Sequence, residues 1–205
     1  EDAHKFGGLQ AISRPYLQTG FWAMIKKRAG WLSALFLGEM LTASAMQHFD
    51  DELAKAVVLT LFIPLIMSSG GNSGSQATSL LIRSLALGEV RLRDWWKVAL
   101  RELPTGMLLG AMLGAIAIIR ISIWQYGGIY DYGPHWVLLA LTVAAALIGI
   151  VSFGSLTGSM LPFALQRLGF DPASASAPFV ATLVDVTGLV IYFSIAAMIL
   201  GGTLL

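Results

Sequence analysis

The stretch "FIPLIMSSGGNSGSQATSLLIRSLALGE", residues 62–89, opens as an apolar helix and passes, before any charge, into a run of Gly, Ser, Asn and Gln. Its setting decides the fold class. The chain of 205 residues is 56% hydrophobic and 12% charged, with a mean hydropathy of +0.73, whereas soluble domains carry roughly a quarter charged residues. An all-α integral membrane protein is therefore expected. With no cysteine in the sequence, neither a disulfide framework nor a Cys-based metal or redox site enters. The chain does not start with Met or with a short apolar leader, so its start is expected to be a cut within a longer protein.

Crossing a bilayer takes about 20 mostly apolar residues, and five segments qualify, near 30–48, 56–82, 103–122, 136–159 and 178–201. Short polar connectors separate them, among them "HFDDE" (48–52), "RLRDWWKVALRE" (91–102) and "WQYGGIYDYGPH" (124–135). With five crossings, Lys5, Arg14, Lys26, Lys27, Arg28, Arg83, Arg91, Arg93, Lys97, Arg101 and Arg167 fall on one side and Lys55 and Arg120 on the other. The positive-inside rule then puts the N-terminus in the cytoplasm and the C-terminus outside. The outer connectors carry Asp50, Asp51, Glu52 and Asp131, either an acidic mouth that concentrates cations or plain solubilising charge. "PYLQTGFWAMIKKRAGW" (15–31) reads as an amphipathic interfacial helix that feeds the first span.

Two carboxylates lie deep in spans, Glu39 and Asp185. An acid at a span centre costs about 2.5–3.5 kcal/mol on insertion scales, so it is expected to face protein or water. For either, a hydrogen bond to a neighbouring helix is the structural alternative. On a helix, Ser68, Gly71, Ser75 and Ser79 fall on one face, with Asn72 and Gln76 as an adjoining stripe. Close helix packing through small residues would explain the Gly and Ser but does not ask for Asn72 and Gln76. A break in the span that lines a water-filled cavity explains all of them. Hydroxyls, amides and carbonyls with one carboxylate suit a hard divalent cation, and Mg²⁺ above all, since it keeps several waters; Mn²⁺ or Ca²⁺ are possible. His4, His48 and His135 lie outside the spans, so softer metals lack ligands and a span-serine hydrolase lacks a base. No P-loop appears, and nothing points to an enzyme or to nucleic acid.

"PLIMSSGGNSGSQATSLLIRSLALGE", then "KVALRE", and later "LPFALQRLGFDPASASAPFVATLVDVTGLVIYF" closely resemble the transmembrane domain of the MgtE family of magnesium transporters and channels. The resemblance covers essentially the whole chain. It implies that residues 1–29 are the end of a regulatory linker and an amphipathic plug-like helix, and residues 30–205 a five-helix ion-conducting domain in the plasma (inner) membrane. It further implies a homodimer with the pore on its two-fold axis, Asp185 and its symmetry mate holding hydrated Mg²⁺. Gly71, Ser75, Ser79, Ala177 and Ala181 would line the path, beside Asn72 from the helical stripe. Where some family members have Asn, this chain has Ser75 and Ala177, which weakens contacts to the ion's shell. Cytoplasmic N and CBS regulatory domains are expected in the full-length protein. Glu39 is carried as a possible secondary acid, and a proton- or sodium-coupled exchanger as the alternative to a gradient-driven path.

Overall fold

The computed structural model describes residues 2–13 and 15–205, without the side chains at 2, 3, 52, 53 and 55. Arg14 and the side chains of Glu52 and Lys55, which enter the charge count above, lie outside the described residues. The described chain is helical: α1 (Asp2–Phe6), α2 (Phe21–His48), α3 (Asp50–Lys55), α4 (Ile63–Ala86), α5 (Trp95–Tyr126), α6 (Trp136–Arg167) and α7 (Ala177–Leu200), joined in places by short 3₁₀ segments. Among the described residues four segments are long and apolar enough to cross a membrane: Val57–Ala86, Leu92–Tyr126, Trp136–Arg167 and Ala177–Leu200. The helix α2 has the length but is not among them, because even beyond Lys26, Lys27 and Arg28 its apolar part carries Glu39 and several Gly, Ser and Thr residues that lower its hydropathy.

Several helices differ from the sequence expectation. The interfacial helix expected over 15–31 and the first span are not separate elements; after a 3₁₀ turn at Tyr16–Gln18, α2 runs unbroken through the 29/30 boundary. The residues 95–102, expected as connector, are the first two turns of α5, and α6 continues past 159 to Arg167. The anticipated break in the second span is one of polarity and not of backbone, since α4 is a continuous helix from Ile63 to Ala86. Every Gly and Ser in it keeps its backbone inside the helical ladder, which in lipid is the cheapest way to satisfy N–H and C=O groups.

Where helices stop, the reason is local. Gly88 (φ +70) and Gly169 (φ +81) sit just past the ends of α4 and α6 in the left-handed conformation. Each lets the next N–H reach back into the helix, Glu89 to Ser84 O at 3.0 Å and Phe170 to Leu165 O at 2.9 Å. Helix α7 starts at a Ser176 cap whose hydroxyl accepts from the Phe179 N–H at 3.3 Å, with Pro178 in the first turn.

The central element is α6, with α4, α5 and α7 packed around it. Lipid tails are as apolar as Leu, so helices in a bilayer gain little by burying apolar side chains against one another, and close contact through small residues has to hold them. The α5–α6 seam uses Gly106, Gly110 and Gly114, one per turn. A Cβ on them would lie 2.7 Å from the Ser152 Cα, 2.6 Å from the Ile148 Cα and 3.1 Å from the Ala144 Cβ. The α4–α6 seam is tighter still. A Cβ on Gly154 would run into the Gly70 carbonyl, and one on Gly158 into the Gly74 carbonyl. Buried Thr78 closes this seam, its hydroxyl 2.7 Å from Gly158 O and 2.9 Å from Gly74 O, and the Ser73 hydroxyl donates to Val151 O at 3.3 Å. At the other end, the buried Tyr192 hydroxyl donates to Leu59 O at 2.9 Å and ties α7 to the turn before α4.

Because the clash at Gly158 is with backbone, it cannot be relieved by turning a side chain. Gly158→Ala should lower the stability of the purified protein by about 1–3 kcal/mol, an overpacking cost. Gly30→Ala, in α2 with open space around it, should be neutral or slightly stabilising. Thermal unfolding in detergent checks the pair, and equal melting temperatures for both variants would contradict the packing account.

Candidate ion path

Helix α4 has two faces. Gly70, Gly71, Ser73, Gly74, Ala77 and Thr78 are buried, while Ser68, Asn72, Gln76 and Ser79 are exposed. The polar run is thereby divided, its small residues serving contact and its larger polar ones turned outward. Along the exposed side the Asn72 amide donates to the Ser68 hydroxyl at 3.4 Å, a one-turn link that leaves the rest of the row open.

Helix α7 lies antiparallel to α4. The Ser75 hydroxyl points at Ala177 O, 3.5 Å away; a Cβ on Gly71 would meet the Ala181 Cβ at 3.4 Å; and one on Gly188 would meet the Met67 Cε at 3.4 Å. Ala177, Ala181 and Asp185 follow one another at four-residue spacing on α7, so half-buried Asp185 stands one turn beyond the Gly71–Ala181 contact. Of the residues picked from sequence, Gly71, Ser75, Ala177 and Ala181 thus meet on one seam that leads to Asp185, and Asn72 and Ser79 border it on the outward side. Gly71 is buried by Ala181 and so serves the seam as a contact, with no side chain of its own to offer.

Glu39 joins the site from α2. Its carboxyl lies within side-chain hydrogen-bonding reach of the Asp185 carboxyl, and the Thr42 hydroxyl donates to Glu39 Oε2 at 3.3 Å. A Cβ on Gly38 would lie 2.8 Å from the Thr182 Cγ2, so that glycine lets α2 come close enough for the two acids to meet. No pattern in the sequence pairs residues 39 and 185. Among the described residues no three His, Cys, Asp or Glu side chains gather as a metal cluster. What is assembled is two carboxylates beside a row of hydroxyls, amides and carbonyls, a donor set for a hard cation that keeps its water.

The N-terminal end of α7 is fastened to α2 and to the segment ahead of it. Lys5 pairs with Asp171 at 2.7 Å, the Trp31 indole donates to the Ser176 hydroxyl at 3.3 Å, and Gly8 lies against Trp31 and Pro178, where a Cβ would come within 2.8 Å of the indole. One further acid escaped the sequence reading. Glu102, assigned to a connector, is half-buried in α5 and accepts from the Ser155 hydroxyl at 2.5 Å, which ties α5 to α6. Of the acids expected in the outer connectors, Asp131 is engaged in its own loop, accepting from Gln125 at 2.9 Å and from the Gly133 N–H at 2.9 Å. Those bonds hold its carboxyl below the ordinary value.

A family model described as MgtE, divalent cation transporter, matches residues 63–195. The chain is 42% identical over 200 residues to a magnesium transporter MgtE of Thermus thermophilus, a match that covers 98% of this chain and 42% of that protein. It is 33% identical over 199 residues to a magnesium transporter MgtE of Enterococcus faecalis (97% and 42%), and 32% identical over 170 residues to one of Bacillus subtilis (83% and 36%). The chain therefore spans about two fifths of the length of these relatives.

The fastening at Lys5 has a pH signature. The hydrogen bond from Lys5, followed by that from the Ala173 N–H, holds the Asp171 carboxyl below its ordinary value of 3.8. A carboxyl lowered in the folded state contributes fully above its unfolded value, and that contribution is lost as pH falls through the lowered one. A spin label at exposed Gln10 should therefore be equally restrained from pH 8 down to about 5 and loosen only below about 4. Lys5→Met should loosen it throughout that range.

Proposed function

The chain belongs to the MgtE family of divalent cation transporters, and from that premise we propose that it carries Mg²⁺ across the plasma (inner) membrane, down the ion's electrochemical gradient, through a path on the two-fold axis of a homodimer. The observation that carries this reading is the outward polar face of α4 beside Asp185. Ser68, Asn72, Gln76 and Ser79 are exposed on a helix otherwise apolar enough for lipid, and such a row is stable in a bilayer only where water or a second protein surface meets it. A second copy related by a two-fold axis supplies that surface and returns the same residues from the other side.

In this reading α2 is a fifth crossing, its Lys26, Lys27 and Arg28 at the cytoplasmic interface, which leaves the N-terminus cytoplasmic and the C-terminus outside. The regulatory domains belong to the part of the relatives' length that this chain does not span, and they act on the path through the Lys5–Asp171 and Trp31–Ser176 contacts.

The chemistry follows from the ion. Mg²⁺ gives up water reluctantly, so the paired Asp185 carboxylates hold it through its hydration shell while the hydroxyls and carbonyls of the seam bond to the outer waters. No bond is made or broken. An inside-negative potential supplies about 4.6 kcal/mol per 100 mV for a divalent ion, twice the value for one charge. Ser75 and Ala177 stand where a longer amide would reach further toward the shell, so discrimination against Mn²⁺ and Ca²⁺ is expected to be modest.

One observation favours a second reading. Glu39 stands beside Asp185, and two facing acids of this kind are what a proton- or sodium-coupled exchanger would use to carry its counter-ion. The two readings separate in proteoliposomes. The gradient-driven path takes up Mg²⁺ with no sodium or proton gradient imposed, whereas the exchanger requires one.

Asp185→Ala should reach the membrane normally and lower Mg²⁺ flux by about tenfold or more, the value of losing charged hydrogen bonds worth roughly 1.5–3 kcal/mol. Glu39→Gln should retain most of that flux if the path is gradient-driven. Growth of a magnesium-auxotrophic strain at limiting Mg²⁺ gives the readout, and full rescue by Asp185→Ala would remove Asp185 from the path.

A further inference from the structure

At the end of the bundle where the basic residues gather, the 3₁₀ turn Leu92–Asp94, the start of α5 and the last turns of α6 enclose a hollow of about 650 Å³. Its lining is apolar at Leu92, Trp95, Met160, Phe163 and Ala164, and the exposed Arg93 and Arg167 complete it. Phe163 is buried and Trp95 is about half exposed. Neither guanidinium has a hydrogen-bond or ion-pair partner among the described residues. Asp94, which feels the charge of Arg93, makes its direct contacts elsewhere: its carboxylate accepts from the Arg91 N–H at 3.1 Å and pairs with Lys97 at 3.3 Å. The hollow therefore presents two guanidiniums with free N–H donors beside a greasy cleft.

From this arrangement we infer that the hollow between α5 and α6 is a binding site for an anionic phospholipid, its phosphodiester held by Arg93 and Arg167 and its upper acyl chain laid against Leu92, Met160 and Phe163. The depths match, because the cleft joins the first turn of one apolar helix to the last turn of the next, where the headgroup region gives way to hydrocarbon. The chemistry also matches. Guanidinium forks bind phosphate oxygens in pairs, and clefts of this kind between helices, lined by basic residues on the cytoplasmic side, take up acidic headgroups. A free phosphate would satisfy the arginines but leave the apolar lining bare. A choline lipid would bring a third cation to a site that already holds two. The inference needs only that these helices lie in a membrane and is independent of which ion the path carries.

Native mass spectrometry of the full chain in a mild detergent, with phosphatidylglycerol or phosphatidylcholine added, provides the test. Wild type should retain one phosphatidylglycerol per protomer in preference to phosphatidylcholine. The double variant Arg93→Gln/Arg167→Gln should need about thirtyfold more phosphatidylglycerol for the same occupancy, as expected for two basic residues at a membrane surface. The corresponding double Lys variant should fall between them. Met160→Trp fills the cleft while leaving both arginines, and it should also lose the lipid, which guards against a folding defect in the arginine variants. The site is overturned if phosphatidylcholine binds wild type equally, if either the Gln pair or Met160→Trp holds phosphatidylglycerol as well as wild type, or if glycerol 3-phosphate alone displaces the lipid.

Discussion

The structure depends on the contact of bare backbone with backbone along α6. In a bilayer no apolar side chain gains much by leaving lipid for protein, so helices meet where small residues let main chains touch. Gly154 and Gly158 bring α6 against Gly70 and Gly74 of α4, and Gly106, Gly110 and Gly114 bring α5 against it from another side. Thr78 then spends its hydroxyl on this seam, next to Gly74 O and Gly158 O. These contacts set the rotation of α4 about its own axis. With Gly70, Ser73, Gly74 and Thr78 held inward, Ser68, Asn72, Gln76 and Ser79 are turned out together.

That division resolves the oddity of the polar stretch. Close packing accounts for the small residues turned inward, while Ser68, Asn72, Gln76 and Ser79 form an exposed row on the same unbroken helix. The seam with α7 follows from the same rotation, because Gly71 is left at the boundary between the faces, where it takes Ala181. Asp185 is then carried one turn further along α7, to where Glu39 arrives from α2. The acid is thereby positioned by a chain of contacts that starts at α6, none of which involves a charged group.

The same reasoning connects the site to what precedes it. Ser176 caps α7, and the Trp31 indole shares its hydroxyl, while Lys5 holds Asp171 just upstream. The contacts from Lys5 and Trp31 therefore meet at the start of the helix that carries Asp185. The bond from Lys5 to Asp171 persists at physiological pH, since the carboxyl is held below its ordinary value of 3.8.

Apolar length, the two carboxylates within it and the face shared by Ser75 and Ser79 are properties of order along the chain, legible as membrane helices of which one bears a polar face. The four-residue spacing of Gly106, Gly110 and Gly114 is likewise a packing ridge visible in the order of residues. Helix ends were read less well, because charged and aromatic residues such as those of 95–102 look like connector although they continue α5. The union of α2 with the expected interfacial helix was hidden for the same reason, since Lys26, Lys27 and Arg28 mark an interface without ending a helix. Sequence alone determined what each helix could offer: its length, its small residues and its acids. Only the tertiary structure decided which of α4's polar residues face outward and that Glu39 meets Asp185. Both depend on how helices far apart in the chain are rotated against one another, and that rotation is set by glycine contacts between them, which no periodicity within a single helix contains.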